Sequence, residues 1–200
     1  MRRLMLGNEA IARGLLENGC AMATSYPGTP ASEILASVAA MRTAEDVDMH
    51  VQWAVNEKVA LEIAYAGAMT GLRTAVSMKQ VGLNVAADSL MSAAYLGTSG
   101  GLVVIACDDP GPHSSQTEQD SRYFAMFAKV PCFDPSTAAE AKEMVFDAYD
   151  LSEKHHIIAM LRPSVRVDHC RQDVELKDVI DREQTMKFEK DPARWVCLPA

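Results

Sequence analysis

Asn56-Glu57-Lys58 stands between an apolar run ending at Val55 and a segment, Val59 to Glu62, with helical periodicity. Asn56 is a good N-cap, and an acid in a first helical turn is favoured by the free N–H groups and the dipole there. Structural charges outnumber catalytic ones, so on local physics alone Glu57 is a helix-start residue. Val55, Val59 and Ala60 nevertheless leave it little polar company. A ligand laid against it would desolvate the carboxyl and favour its proton-donating form, while the helix start favours the ionised form.

Other residues with chemical potential lie where strands should end. Tyr26 closes an apolar run and is expected to be buried, the alternative being a place in a pocket wall. Thr29 follows the Pro27-Gly28 turn and is read as an N-cap, with Pro30 in the first helical turn; a helix start also offers N–H donors to an anion. Lys79-Gln80 follows a strand, and Asn84 is expected at a helix start. Asp108 to Gln119 is a polar segment directly after an apolar run; ligands gather at the carboxyl ends of strands in open parallel sheets, which makes it a site candidate. Within it His113, Ser114 and Ser115 suggest a nucleophile and a base, but adjacent residues seldom reach that geometry and no orienting third group is evident, which argues against a hydrolase. His155-His156 reads as structural or solvated.

The elements that must position these residues alternate. Helices are expected over 8–18, from Pro30 through Ala39, over 56–70, from Leu83 to Ala94, over 120–128 and from Thr137, where Thr137-Ala138-Ala139-Glu140 reads as a capping box. Strands are expected over 20–26, 50–55, 74–78, 102–107, 130–133 and 157–161. Leu102 to Cys107 is apolar throughout, as in a strand covered on both faces. The pattern predicts an α/β fold, a doubly wound, mainly parallel sheet with helices on both faces, over residues 1–165. Residues 166–200 are read as a charged connector or C-terminal extension.

Composition excludes several function classes. A net charge of -8 and a pI near 5.1 argue against a nucleic-acid groove. The 5 cysteines are widely spaced without a C-x-x-C pair, so neither a disulfide framework nor a metal or cluster site is written here. The basic start Met1-Arg2-Arg3 is followed too soon by Gly7, Asn8 and Glu9 for a signal peptide, and no apolar run reaches membrane-spanning length; a soluble, cytoplasmic chain is expected.

Gly7-Asn8-Glu9-Ala10-Ile11-Ala12-Arg13-Gly14, Tyr26-Pro27-Gly28-Thr29-Pro30, Asn56-Glu57-Lys58-Val59-Ala60, Val81 to Asp88, and Asp108-Asp109-Pro110-Gly111 with His113 to Gln116 occur in that order. Together they resemble the N-terminal, pyrimidine-binding domain of the alpha subunit of indolepyruvate:ferredoxin oxidoreductase, a thiamine-diphosphate-dependent family. The resemblance implies that Glu57 bonds the aminopyrimidine N1′ of thiamine diphosphate, where a held proton promotes the tautomer whose 4′ nitrogen deprotonates the thiazolium C2. It moves the balance for Glu57 from structural to catalytic. It also implies that Asn84 lies near the cofactor and that Thr29 lies near the substrate carboxylate, with Tyr26, Lys79, Gln80, His113, Ser114 and Arg122 as further substrate-side candidates.

Two departures bear on substrate. Where related pyruvate enzymes carry an arginine for the substrate carboxylate, this chain has Asp108-Asp109, so Arg122 or Lys79 would have to serve. Gln80 stands where indolepyruvate enzymes tend to carry histidine. No Gly-Asp-Gly motif for Mg2+ and diphosphate and no iron–sulfur cysteine spacing is present, so those groups are expected on partner domains or subunits. The expected activity is conversion of an aryl 2-oxoacid to an acyl-CoA with ferredoxin as acceptor. Coenzyme A and ferredoxin would be met through the full complex, and homo-oligomers are allowed. A binding or regulatory module that kept the fold and lost catalysis is the alternative.

Overall fold

The computed structural model describes residues 1–180 and 185–197. In chain order the elements are β1 (Arg2–Leu6), α1 (Gly7–Glu17), β2 (Met22–Ser25), α2 (Ser32–Ala44), β3 (His50–Trp53), α3 (Glu57–Met69), β4 (Thr74–Lys79), α4 (Gln80–Val85), α5 (Ala87–Leu96), β5 (Leu102–Cys107), α6 (Arg122–Ala128), β6 (Cys132–Phe133), α7 (Ala138–His155), β7 (Ala159–Leu161), α8 (Val165–Asp168), β8 (Arg171–Glu175) and α9 (Pro192–Trp195).

Six strands form a parallel sheet in the order β3-β2-β4-β5-β7-β6. The alternation of side chains along each strand divides the core in two. Ala75, Val103, Ile105, Ala159 and Leu161 pack with Ile11 and Leu15 of α1, Ile34 and Leu35 of α2, and Val145 and Tyr149 of α7. Val76, Met78, Val104, Ala106 and Met160 pack with Leu61 of α3, Leu83 of α4, Leu90 of α5 and Ala125 of α6. This is the three-layer, doubly wound arrangement that the alternating pattern predicts. All six residues of β5 are buried, as its unbroken apolar run requires. Fully buried Ala60, Ala64 and Ala68 let α3 lie close to the sheet, where the Thr24 hydroxyl donates to the Ala60 carbonyl at 2.7 Å.

The connections from β2 and β4 leave in opposite directions. α2 follows β2 onto one face, and α4 follows β4 onto the other, although the two strands are neighbours. The carboxyl ends of β2 and β4 therefore flank the topological switch point, the place where ligands bind in open α/β sheets.

Some local expectations are corrected. Thr29 does not cap α2: the helix begins three residues later behind Ala31, and the intervening turn is closed by the Gly28 N–H donating to the Ser32 hydroxyl at 2.7 Å. Pro30, joined to Thr29 by a cis peptide bond, accordingly precedes the helix instead of lying in its first turn. Asn84 sits within α4, which starts at Gln80 because β4 runs directly into it. Tyr26 is 38% exposed, because the chain leaves the sheet after Ser25 and carries the ring to the surface.

Two strands were not anticipated. β1 and β8 pair antiparallel, from Arg2 with Glu175 to Leu6 with Arg171. Their inward residues Met5 and Val174 join Ala10 and Ala138 in a small third cluster. Just beyond, the Lys177 N–H donates to Glu17 at 2.8 Å, and Glu17 also receives Arg13 and Lys142, a buried ion group between α1 and α7. The first part of the expected connector is thus fastened to the main body. Among the described residues no helix is long and apolar enough to cross a membrane.

Candidate functional site

The carboxyl edge of the sheet gathers four segments: the loop after β2, the start of α3, the β4–α4 junction and the loop after β5. Asn56 opens α3 as the sequence suggests, its side chain accepting from the Val59 N–H at 2.9 Å. Glu57 is thereby placed in the first turn, where its side chain is drawn inward and the residue is only 8% exposed. Among the described residues its carboxyl has neither a hydrogen-bond nor an ion-pair partner. It lies against Gly82 of α4, where an added Cβ would come 2.4 Å from Oε1 and 2.5 Å from Cγ. Gly82 is therefore a bare backbone surface shaped to the Glu57 side chain. A largely buried, unpaired carboxyl at this edge can accept a hydrogen bond from a ligand's N–H or O–H donor.

Lys79 ends β4 and is 9% exposed. Its stem crosses Gly28, where an added Cβ would lie 2.8 Å from Cδ. Its ammonium donates to the Gln116 side-chain oxygen Oε1 at 3.5 Å, the limit of a hydrogen bond. Gln80 is fully buried; its amide donates to the Thr117 carbonyl at 3.1 Å, and its Oε1 has no partner.

The loop from Asp108 to Ser121 is held in shape by two buried aspartates. Asp109 Oδ2 accepts from the N–H groups of His113, Ser114 and Ser115 at 3.0, 2.9 and 3.0 Å. Burial alone would raise its pKa, but these bonds outweigh burial and bring it down to about 2. Asp108 accepts from Arg162 Nε at 2.6 Å and from the Ser121 N–H and hydroxyl, closing the base of the loop. The loop is then clamped to α4 by Gln119, which donates to the Gln80 carbonyl at 2.7 Å and accepts from the Asn84 amide at 3.0 Å.

The candidates separate into groups. Glu57 and Gly82 meet directly, and Lys79, Gln80 and Asn84 all reach the loop that carries His113 and Ser114. Thr29 and Tyr26 lie on the exposed β2 loop, on either side of the Gly28 that underlies Lys79. Arg122 is bound up elsewhere, in a bidentate pair with Asp120 and a contact to Asp134 at 3.1 Å. Gly82, Gln119 and the ordering role of Asp109 were missed by sequence reasoning. The run Val81-Gly82-Leu83-Asn84 carried the signal for Gly82, since a glycine in a short buried helix marks a close approach. Among the described residues no group of three or more His, Cys, Asp or Glu is placed to hold a metal ion.

The profile of the family described as pyruvate flavodoxin/ferredoxin oxidoreductase, thiamine diphosphate-binding, matches residues 13–196. The chain belongs to that family. Within the oxidoreductase family, the indolepyruvate oxidoreductase subunits IorA of Thermococcus kodakarensis and Pyrococcus abyssi are 47% and 45% identical to it over 100% of this chain. Each alignment covers 31% of the relative, so the chain spans about a third of the length of these curated relatives. The family fold is seen in a solved 2-oxoglutarate:ferredoxin oxidoreductase from Magnetococcus marinus, which superposes with a TM-score of 0.79 at 18% identity, over 94% of this chain and 33% of that one. The resemblance carried by the motifs is thereby upheld.

Proposed function

We propose that this domain is the pyrimidine-binding half of a thiamine diphosphate site in an enzyme that oxidatively decarboxylates aryl 2-oxoacids to acyl-CoA with ferredoxin as acceptor. The observation that carries the reading is Glu57: a shielded carboxyl in the first turn of α3, without a protein partner among the described residues, seated on Gly82. Thiamine diphosphate, when bound, supplies the carbon nucleophile for the 2-oxoacid carbonyl. Glu57 holds a proton at the aminopyrimidine N1′, and α4 fixes the carboxyl in place. The loop after β5 closes the same edge of the sheet. The diphosphate, Mg2+ and iron–sulfur clusters fall to partner domains or subunits, through which coenzyme A and ferredoxin are met. The names of the IorA relatives support an indolepyruvate-like substrate.

The test is hydrogen–deuterium exchange at thiazolium C2, followed by NMR after acid quench, in the assembled enzyme with and without Glu57→Gln. Loss of a general acid–base group should slow exchange roughly 10²- to 10⁴-fold with the cofactor still held through its diphosphate. Equal rates with the cofactor bound in both proteins would return Glu57 to a helix-start role worth about 0.3–1 kcal/mol.

A further inference from the structure

The described residues include three buried cations, Arg13, Lys79 and Lys142. Arg13 and Lys142 share Glu17. Lys79 differs: no carboxylate of the described residues lies within ion-pair distance, and its one polar contact is the neutral Gln116 oxygen at 3.5 Å. An ammonium taken out of water without a counter-charge is costly, and proteins ordinarily pair or expose such groups. The stem of Lys79 lies against Gly28, and the residue closes the end of β4. It stands at the switch point between β2 and β4, where the fold places ligands. The helix that follows it, α4, carries Gly82 and so the seat of Glu57.

We propose that Lys79 is the residue that receives the substrate's carboxylate, and that the β2–β4 crevice is built for a 2-oxoacid bearing one such group. This deepens the reading proposed for Glu57 and rests on it for the chemistry. Arg122 and Arg162, the other cations around the loop after β5, are committed to Asp120, Asp134 and Asp108. The crevice therefore offers one uncommitted buried positive charge among the described residues, which matches a monocarboxylate better than a dicarboxylate. The carboxylate leaves as CO2, so an ion pair to it favours the bound substrate at least as much as the transition state. Lys79 accordingly acts on binding and orientation rather than on the rate of the chemical step.

The experiment compares an unreactive carboxylate, 3-phenylpropionate, with its neutral amide by calorimetry on the assembled enzyme, wild type and Lys79→Met. The wild type should prefer the carboxylate about 10- to 100-fold, and Lys79→Met should lose that preference while binding the amide as before. In turnover, the KM for phenylpyruvate should rise about 10- to 100-fold with kcat changed less than about threefold, and C2 exchange without substrate should match wild type. A carboxylate preference that survives in Lys79→Met, or is absent from wild type, overturns the proposal. So does an assembled Lys79→Met enzyme whose KM for phenylpyruvate is unaltered. Should Lys79→Met fail to assemble, protection of the wild-type Lys79 amine from acetic anhydride by the carboxylate, and not by the amide, decides the matter by mass spectrometry. Equal C2 exchange in wild type and Glu57→Gln would sink the cofactor reading alone, because the two-probe comparison needs no turnover.

Discussion

Two residues, Gly82 and Asp109, shape the candidate site by what lies against them. Gly82 has no Cβ, and an added one would meet Oε1, Cγ and Cδ of Glu57 at 2.4, 2.5 and 2.7 Å. Gly82→Ala should cost little stability, since the flexible acid can move aside and alanine gains about 1 kcal/mol of helix propensity over glycine. Displacing the carboxyl by an ångström should nevertheless slow C2 exchange on the order of 10²-fold. Urea unfolding and the exchange assay together separate the two effects, and a slow, destabilised variant would argue against this account. Asp109 is legible by pH instead. Its folded pKa of about 2 lies below the ordinary 3.8, so its contribution to stability is complete above 3.8 and fades as pH falls through about 2. Asp109→Asn should therefore be less stable than wild type at pH 7, with the gap narrowing below pH 3.8 in denaturant titrations. At this scale the cap at Asn56 and the motif around it marked Glu57 as a candidate in the sequence. The sequence hid the lack of a partner for Lys79, because pairing depends on which distant carboxylates the fold brings near.

Among elements, the clamp between α4 and the loop after β5 decides whether the crevice keeps its shape. Gln119 supplies two of its bonds, to the Gln80 carbonyl and the Asn84 amide. Gln119→Ala should lower stability by about 1 kcal/mol. The more telling result is faster hydrogen exchange at the amides of His113 to Ser115 while those of β5 stay protected; uniform acceleration in both segments would mean that the loop is not a separate unit. Strands and helices of the sheet were readable because each carries its own period, and caps at Asn56 and Thr137 act as their types suggest, accepting from Val59 and Glu140. The Thr137 capping box closes differently: Glu140 reaches back to the Ser136 N–H at 2.7 Å. β1 and β8 were unreadable, because Arg2 to Leu6 and Arg171 to Glu175 gain strand character only from each other, across most of the chain.

For the whole molecule, the proposed function raises the question of which 2-oxoacid the assembled enzyme would take. One uncommitted buried ammonium at the switch point favours substrates with one carboxylate. The expected kcat/KM for phenylpyruvate or indolepyruvate exceeds that for 2-oxoglutarate by about 10²-fold, the worth of leaving a second carboxylate unpaired in a desolvated crevice. Preference for 2-oxoglutarate in steady-state kinetics would refute this, and preference for pyruvate would refute the aryl assignment while leaving the reaction class intact. The family was legible before the structure because its motifs fall at strand ends and helix starts, where backbone geometry limits the residue types. The proposed substrate preference was less so, because it rests on the absence of a carboxylate beside Lys79 among the described residues, which only the fold shows.

The antiparallel seam of β1 and β8 gives the molecule a mechanical character. Arg2 faces Glu175 at one end of the ribbon and Leu6 faces Arg171 at the other. Tension applied between residues 2 and 175 would therefore peel the ribbon open from one end, loading one rung at a time, instead of shearing all rungs at once. Met5 and Val174 would leave their packing against Ala10 of α1 and Ala138 of α7 as the inner rungs parted. The seam is thus a zipper whose opening end carries residues 2 and 175.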